Sequence, residues 1–275
     1  MANKKNNSKE SLKDIWESRN IIWKLSKNDF KKRYAGSYLG KVWAFVQPVV
    51  TVIMYWIVFD IILQTKRQLV ASGIDMPYVL YLTAGLVPWF YFSEALTGGT
   101  NSLIEYNYLV KKVVFNINIL PVIKVVSASF THIFFAGVLV VIALLYGYMP
   151  SLYMLQIIYY TFCVTMLTLG AIYATSAIVI FFKDLQQIIN IGLQLGMWAT
   201  PILWDINMIS GKAGLLIKIN PLCYIVTGYR NAMAGQKWFW EDAWYTLYFW
   251  VFTIVLFAVG NKIFNKLKVH FADVM

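Results

Sequence analysis

Carboxylates, histidines and cysteines are all scarce in this sequence, with 13 Asp and Glu, two His and two Cys in 275 residues. Cys163 and Cys223 have no C-x-x-C partner and read as unpaired thiols, which excludes a disulfide framework and a thiolate metal site. His132 and His270 are too few for a metal cluster. His132 falls within a long apolar stretch close to Ser127, Ser129 and Thr131, so a hydrogen-bonded structural role is expected. Asp60, Glu94, Glu105 and Asp184 sit at the edges of apolar stretches, and none forms a close pair suited to acid–base chemistry. No G-x-S-x-G motif occurs. No catalytic residue, metal or cofactor is expected in this chain, and no nucleic-acid partner.

Charged residues make up 13% of the chain, against about 25% in an average soluble domain. Hydrophobic residues make up 59%. That balance points to an integral membrane protein, all-α, because every backbone polar group in lipid must be satisfied internally. The net charge of +11 must then lie outside the hydrocarbon. The segment Gly36-Ser-Tyr-Leu-Gly40-Lys41 approaches a phosphate-binding loop but has one residue too few between its glycines. Val42 stands where a magnesium-binding hydroxyl is needed. It reads instead as the turn from an interfacial helix into the first span, with Gly36 and Gly40 tolerating unusual φ and Pro48 kinking the span.

Uncharged runs mark the spans. Residues 42–59, 76–93, 185–204 and 243–261 are each uncharged, and 125–182 is uncharged for 58 residues with a turn near Pro150. Since about 20 helical residues cross a bilayer, six transmembrane helices are expected, over 42–63, 76–96, 122–146, 152–182, 185–204 and 241–262. Residues 11–31 read as an amphipathic interfacial helix, with Leu12, Ile15, Trp16, Ile22, Trp23 and Phe30 on one face. Residues 215–236 are apolar but interrupted by Pro221, Gly228, Arg230 and Gly235, which fits a re-entrant helix pair or an extramembrane loop. Eighteen of the 24 Lys and Arg fall on the side of the termini, so the positive-inside rule places both termini in the cytoplasm.

Polar groups inside lipid are costly and mark candidate functional positions. Gln47 lies in the first span. Gln187, Asn190 and Gln194 share one face of the fifth, where they either pair with other helices or line a water-filled path. Gly192 and Gly196 form a G-x-x-x-G pair suited to close helix contact. The aromatic content is 17%, and most tryptophans fall near span ends, as interface anchors or as platforms for sugar rings. Lys27, Lys31, Lys32 and Arg33, with Tyr34, cluster at the cytoplasmic interface. They serve either as anchors on anionic lipid or as ligands for a phosphate headgroup.

The order of these features carries a resemblance. "RYAGSYLGKVWAFVQP" precedes the first span, "LVKKVVFNINILP" lies between spans two and three, "KDLQQIINIGLQLGMWATPILW" forms span five, and "NPLCYIVTGYRNAMAG" precedes span six. Together they resemble the ABC-2 type permeases that export lipid-linked polysaccharides, across nearly the whole chain. Tyr55-Trp56 with Val58-Phe59, "MPSL" at 149–152, "TPILW" at 200–204 and the closing "FADVM" are most similar to the teichoic acid translocation subgroup. One departure is Asn116 after Phe115, where the family often has proline.

The resemblance implies a homodimer in the bacterial cytoplasmic membrane, paired with two copies of a separate ATPase that binds ATP and magnesium. It implies export of a polyprenyl-diphosphate-linked polymer, wall teichoic acid in this reading, with O-antigen or another lipid-linked polysaccharide, or a small-lipid or drug substrate, as the alternatives. Residues 103–119 would include the coupling helix, through Leu103, Glu105, Tyr106, Tyr108, Leu109, Lys111, Lys112 and Phe115. Spans one and five would line the path, with Trp43, Gln47, Tyr55, Gln187, Asn190, Gln194 and Trp198. Asn220, Pro221, Tyr224, Tyr229 and Arg230 would close the external side.

Overall fold

The computed structural model describes residues 16–63, 68–69, 75–110, 115–209 and 211–274. Leu12 and Ile15 of the expected amphipathic face, and Lys111 and Lys112 of the expected coupling segment, lie outside the described residues. So does the side chain of Gln47.

Helix α1 (Arg19–Arg33) leads through Gly36 and Gly40 into α2 (Trp43–Trp56). Both glycines take left-handed φ values, +91° and +52°, so the turn uses the freedom expected of them. Pro48 lies inside α2, and a π-helical turn, Ile57–Ile62, extends it. A two-residue antiparallel ladder pairs β1 (Gln68–Leu69) with β2 (Asp75–Met76). The hydrophobic pattern held no signal for it, because two residues carry no alternation.

Helix α3 (Tyr78–Thr100) follows, then two single-turn helices, α4 (Ser102–Glu105) and α5 (Asn107–Val110). Helices α6 (Ile119–Leu145) and α7 (Gln156–Val179) form the next hairpin. Then come α8 (Leu185–Ala199), the short α9 (Lys212–Lys218), α10 (Pro221–Ala234), α11 (Ala243–Leu267) and a last turn, α12 (Phe271–Val274).

Among the described residues, five helical stretches are long and apolar enough to cross a membrane: Gly40–Phe59, Tyr78–Thr100, Ile119–Leu145, Leu152–Val179 and Ala243–His270. The fifth expected span, 185–204, is shorter than its uncharged run. Helix α8 has 15 residues, about 22 Å at 1.5 Å per residue, and the chain turns extended at Thr200. The run of apolar residues through Trp204 fixed hydropathy but not helix length.

Helix α3 is the axis of the bundle. Of its most apolar stretch 78% is buried, against 12% for the stretch around α2. It packs on α6, α7 and α10. Helices α7 and α11 touch backbone to backbone, since a Cβ added to Gly260 would sit 2.3 Å from the Gly170 carbonyl oxygen. We call the end of the bundle that holds α1, α4, α5 and α12 the near end. There Ile22, Leu103, Tyr106, Val110, Ile119, Phe264 and Phe271 form a core of their own.

At the far end α10 enters and leaves on the same side. The Lys218 and Ile219 carbonyls before it accept hydrogen bonds from Tyr245 and Tyr248 in the first turns of α11. After it, Gln156 at the start of α7 bonds to Lys237 and Phe239. Its ends follow from the sequence: the Asn220 side chain accepts from the Leu222 N–H at 3.0 Å, Pro221 is the first helical residue, and Gly235 ends the helix at φ +66°. This is a buried helix packed against α3, α7 and α11, with the short α9 before it.

Candidate functional site: a charged cavity at the near end

A cavity of about 700 Å³ opens between α1, α2, α3 and α6. Asp29, Lys32, Arg33 and Tyr34 at the end of α1 line its mouth, with Glu94 of α3, Lys124 of α6 and the Glu105-Tyr106 junction. Ala44, Pro48 and Thr51 form one wall from α2. Beyond the mouth the lining is uncharged and mixed, with Tyr91, Thr131 and His132 beside Val87, Phe90 and Phe135.

Position along α1 explains the mouth. Ile22, Ser26, Asp29 and Phe30 are buried at three- and four-residue spacing, and the Ser26 hydroxyl donates to the Ile123 carbonyl at 3.0 Å. That face docks α1 on α6 and carries Asp29 into the protein. Lys124 answers it at 2.7 Å and also pairs with Glu105. The Tyr106 hydroxyl donates to Asp29 at 2.9 Å, and the Lys124 ammonium lies 5.4 Å above the Tyr106 ring. Arg33, one turn beyond Asp29, pairs with Asp29 at 3.4 Å and with Glu94, and reaches the Ser127 hydroxyl at 3.4 Å.

The electrostatics follow from these contacts. Burial acts to raise the Asp29 carboxyl, but the hydrogen bond and charge of Lys124 outweigh it and hold Asp29 below its usual 3.8. Burial and the adjacent Asp29 carboxylate push the Tyr106 phenol up, so it stays a hydrogen-bond donor. Burial works against the Arg33 charge, and Glu94 with Asp29 more than restores it. The lining therefore holds three cations (Lys32, Arg33, Lys124) against three carboxylates (Asp29, Glu94, Glu105).

The inner end is held by neutral groups. His132 Nε2 lies 3.1 Å from the Thr161 hydroxyl and 3.2 Å from Tyr229, and its ring stacks on Tyr91 at 4.5 Å. The partners of His132 thus come from α7 and α10, rather than from the nearby Ser127, Ser129 and Thr131 of its own helix. Thr131 Oγ1 is buried with no hydrogen-bond partner among the described residues and lines the cavity.

Comparison with known proteins adds the family. The family description "ABC-2 type transporter" matches residues 21–234, most of the chain and all of the cavity lining. The chain belongs to the ABC-2 type transporter family. It is 28% identical to an O-antigen export system permease protein RfbA of Klebsiella pneumoniae, over 91% of this chain and 93% of that one. It is 26% identical to the RfbA of Myxococcus xanthus, over 95% and 98%.

Within this ABC-2 permease, the residues singled out in the sequence separate. Lys32, Arg33 and Tyr34 meet at the cavity, but Lys27 and Lys31 do not line it. Lys27 lies over the Trp23 ring at 4.7 Å, and Lys31 is exposed. In the expected coupling segment, Leu103 and Tyr106 turn inward and are buried, Glu105 joins Lys124, and Ile104 and Tyr108 are exposed. Leu109 and Phe115 are half-buried against the near-end core. Trp43 is exposed and Tyr55 half-buried beside Phe59.

On α8, Ile189, Leu193 and Met197 face the core, and Gly196 abuts Trp89. Gln187 and Gln194 are exposed, Asn190 is half-buried, and none of the three makes a hydrogen bond among the described residues. Trp198 is 68% exposed. Gly192 has open space around it, so the two glycines form no common seam inside one chain.

Asn220 donates to Thr200 at 2.8 Å, and Tyr224 bonds Tyr159 and Thr246. Tyr229 bonds Thr161 at 2.7 Å. Arg230 donates to the carbonyls of Ile202 (2.8 Å) and Tyr81 (3.3 Å), with its guanidinium 3.4 Å from the Tyr81 ring centroid.

Asp29 and Lys124 were missed by sequence reasoning. The available signal was the spacing of Asp29 from Ile22 and Ser26, which places it on the inward face. Nothing in the sequence paired it with Lys124, 95 positions away.

Proposed function

We propose that this chain is the membrane-spanning half of an exporter for a polymer carried on a polyprenyl diphosphate, working with a separate ATPase that binds ATP and magnesium. The observation that carries this reading is the near-end cavity, with Arg33, Lys32 and Tyr34 at its mouth. Arginine offers a planar fork of donors matched to phosphate oxygens. Ala44, Pro48, Val87, Phe90 and Phe135 suit a lipid tail, and the neutral polar groups of Tyr91, Thr131 and His132 suit a hydroxyl-rich chain. Family membership and the names of the O-antigen permeases support polysaccharide as the cargo. They support O-antigen and wall teichoic acid equally, while the motifs at 55–59 and 200–204 favour teichoic acid.

In this reading both termini are cytoplasmic, the near end faces the ATPase, and Tyr108 and Ile104 present the coupling surface. Closure of the ATPase pair would move α4 and α5, and through Lys124 would move α1 and α6 with them. The exposed amides of α8 are unfavourable against lipid, which supports a second copy, or a water-filled path shared with it, on that face.

Reconstitution with the partner ATPase tests the reading. ATP hydrolysis should be stimulated by teichoic acid or O-antigen carrier lipid, and the better stimulant names the polymer. Stimulation by neither, with dye efflux instead, would reassign the chain to small-molecule export.

A further inference from the structure

Every charge at the cavity mouth cancels. An anionic headgroup that enters therefore meets no net positive field. Lys32 makes no ion pair among the described residues and can meet it directly, but Arg33 and Lys124 are cations already in use and are gained only by taking them over. Lys124 is the less accessible one, 5% exposed and held by two carboxylates. The side chains of Arg33 and Glu94 are 27% and 26% exposed on the cavity wall. Asp29 keeps Lys124 when Arg33 moves, whereas Glu94 has no second cation among the described residues. The replaceable partner is therefore Glu94.

We propose that Glu94 is the resident counter-ion of Arg33 and that the phosphate headgroup of the carrier displaces it. This rests on the headgroup reading above. While the site is empty, Glu94 positions the Arg33 fork toward the cavity and excludes weak anions. A monophosphate presents a single phosphate group, which replaces the carboxylate on Arg33 and reaches no second cation. A diphosphate brings additional charge and also engages Lys32, which makes no ion pair among the described residues. Glu94 thereby sets selectivity for diphosphate over monophosphate. The exchange also unlinks α1 from α3, because Arg33–Glu94 joins those two helices, while Asp29–Lys124 still ties α1 to α6.

The test uses the permease with its ATPase in phosphatidylcholine nanodiscs, with farnesyl diphosphate and farnesyl monophosphate as probes. Glu94→Gln should tighten both, the monophosphate by about tenfold more, so that the diphosphate preference narrows. Glu94→Asp should keep the wild-type ratio, and Arg33→Gln should lose diphosphate binding. A second measurement leaves the protein unchanged: a hydrophobic carbodiimide should label Glu94 more strongly when farnesyl diphosphate is bound.

An unchanged ratio in Glu94→Gln, or labelling indifferent to the probe, overturns the exchange while the headgroup reading stands if Arg33→Gln still loses binding. Wild-type binding by both Arg33→Gln and Lys32→Gln overturns the headgroup reading and the exchange with it. Displacement of the probe by phosphatidylglycerol at equal mole fraction assigns the site to bulk anionic lipid and overturns the carrier as its ligand.

Discussion

The near-end cavity and the far-end helix α10 both bury cations, and they hold them differently. At the near end Lys124 and Arg33 are held by carboxylates from three elements, of which Glu94 is the one proposed to be replaceable. At the far end Arg230 is held by two backbone carbonyls and the Tyr81 ring, with no carboxylate paired to it among the described residues. Around it Tyr224, Tyr229, Thr161 and His132 form hydrogen bonds between neutral groups. Carbonyls fixed in backbone cannot exchange partners, whereas carboxylates on side chains can. If the near end binds the headgroup as proposed, its side-chain carboxylates can be exchanged there, whereas the backbone contacts around Arg230 stay in place.

The sharpest way to break this contrast is Lys124→Met. It leaves the buried Asp29 with only the longer Arg33 contact, 3.4 Å, as its cation, and removing one partner of a buried pair costs up to about 3–5 kcal/mol. Thermal unfolding of the purified protein should show that loss, and adding Asp29→Asn should recover much of it. Failure of the second substitution to rescue would show that Lys124 acts through packing instead.

At the far end the corresponding lesion is steric. A Cβ on Gly228 would lie 2.1 Å from the Tyr160 ring, so Gly228→Val should cost about 3 kcal/mol through overpacking. The same melting assay should show it, and no charge substitution should rescue it.

Next in size is a functional split within the basic cluster. Arg33→Gln should lower carrier-stimulated ATP hydrolysis about tenfold, equal to about 1.4 kcal/mol, while Lys27→Gln and Lys31→Gln should leave it unchanged. Equal effects from all three would return the cluster to general lipid anchoring.

Tyr229→Phe removes a hydroxyl bonded to Thr161 and His132, and should destabilise by about 1 kcal/mol without altering probe affinity at the near end. A change in affinity would show that the two regions are coupled.

The smallest effect is that of pH. Asp29 is held below 3.8 in the folded protein, so its contribution is complete above pH 4 and is lost as pH falls through the depressed value. Melting temperature should show no change attributable to Asp29 between pH 5 and 8, and the Asp29→Asn difference should vanish only below about pH 4.

Much of the architecture was legible residue by residue. Of the six spans expected from long uncharged runs, five coincide with helices long and apolar enough to cross among the described residues, because lipid tolerates little else. Asn220-Pro221 and Gly235 bracketed α10, because caps are local chemistry. Arg230 among apolar residues signalled a shielded helix. The length of α8 was not legible, since hydropathy reports where a segment sits and not where its backbone leaves the helix. The inward turn of Leu103 and Tyr106 was equally hidden in a segment that mixes apolar and charged residues without clear period.

The sequence by itself determined that this chain lives in lipid, how its long helices run, and which family it resembles, since each of these depends on composition, local caps or short motifs. Only the tertiary structure decided that Asp29, Arg33, Glu94, Glu105 and Lys124 share one cavity, and that Lys27 and Lys31 do not join them. Those residues come from four elements far apart in sequence, and charges pair by distance in space, which no local pattern encodes.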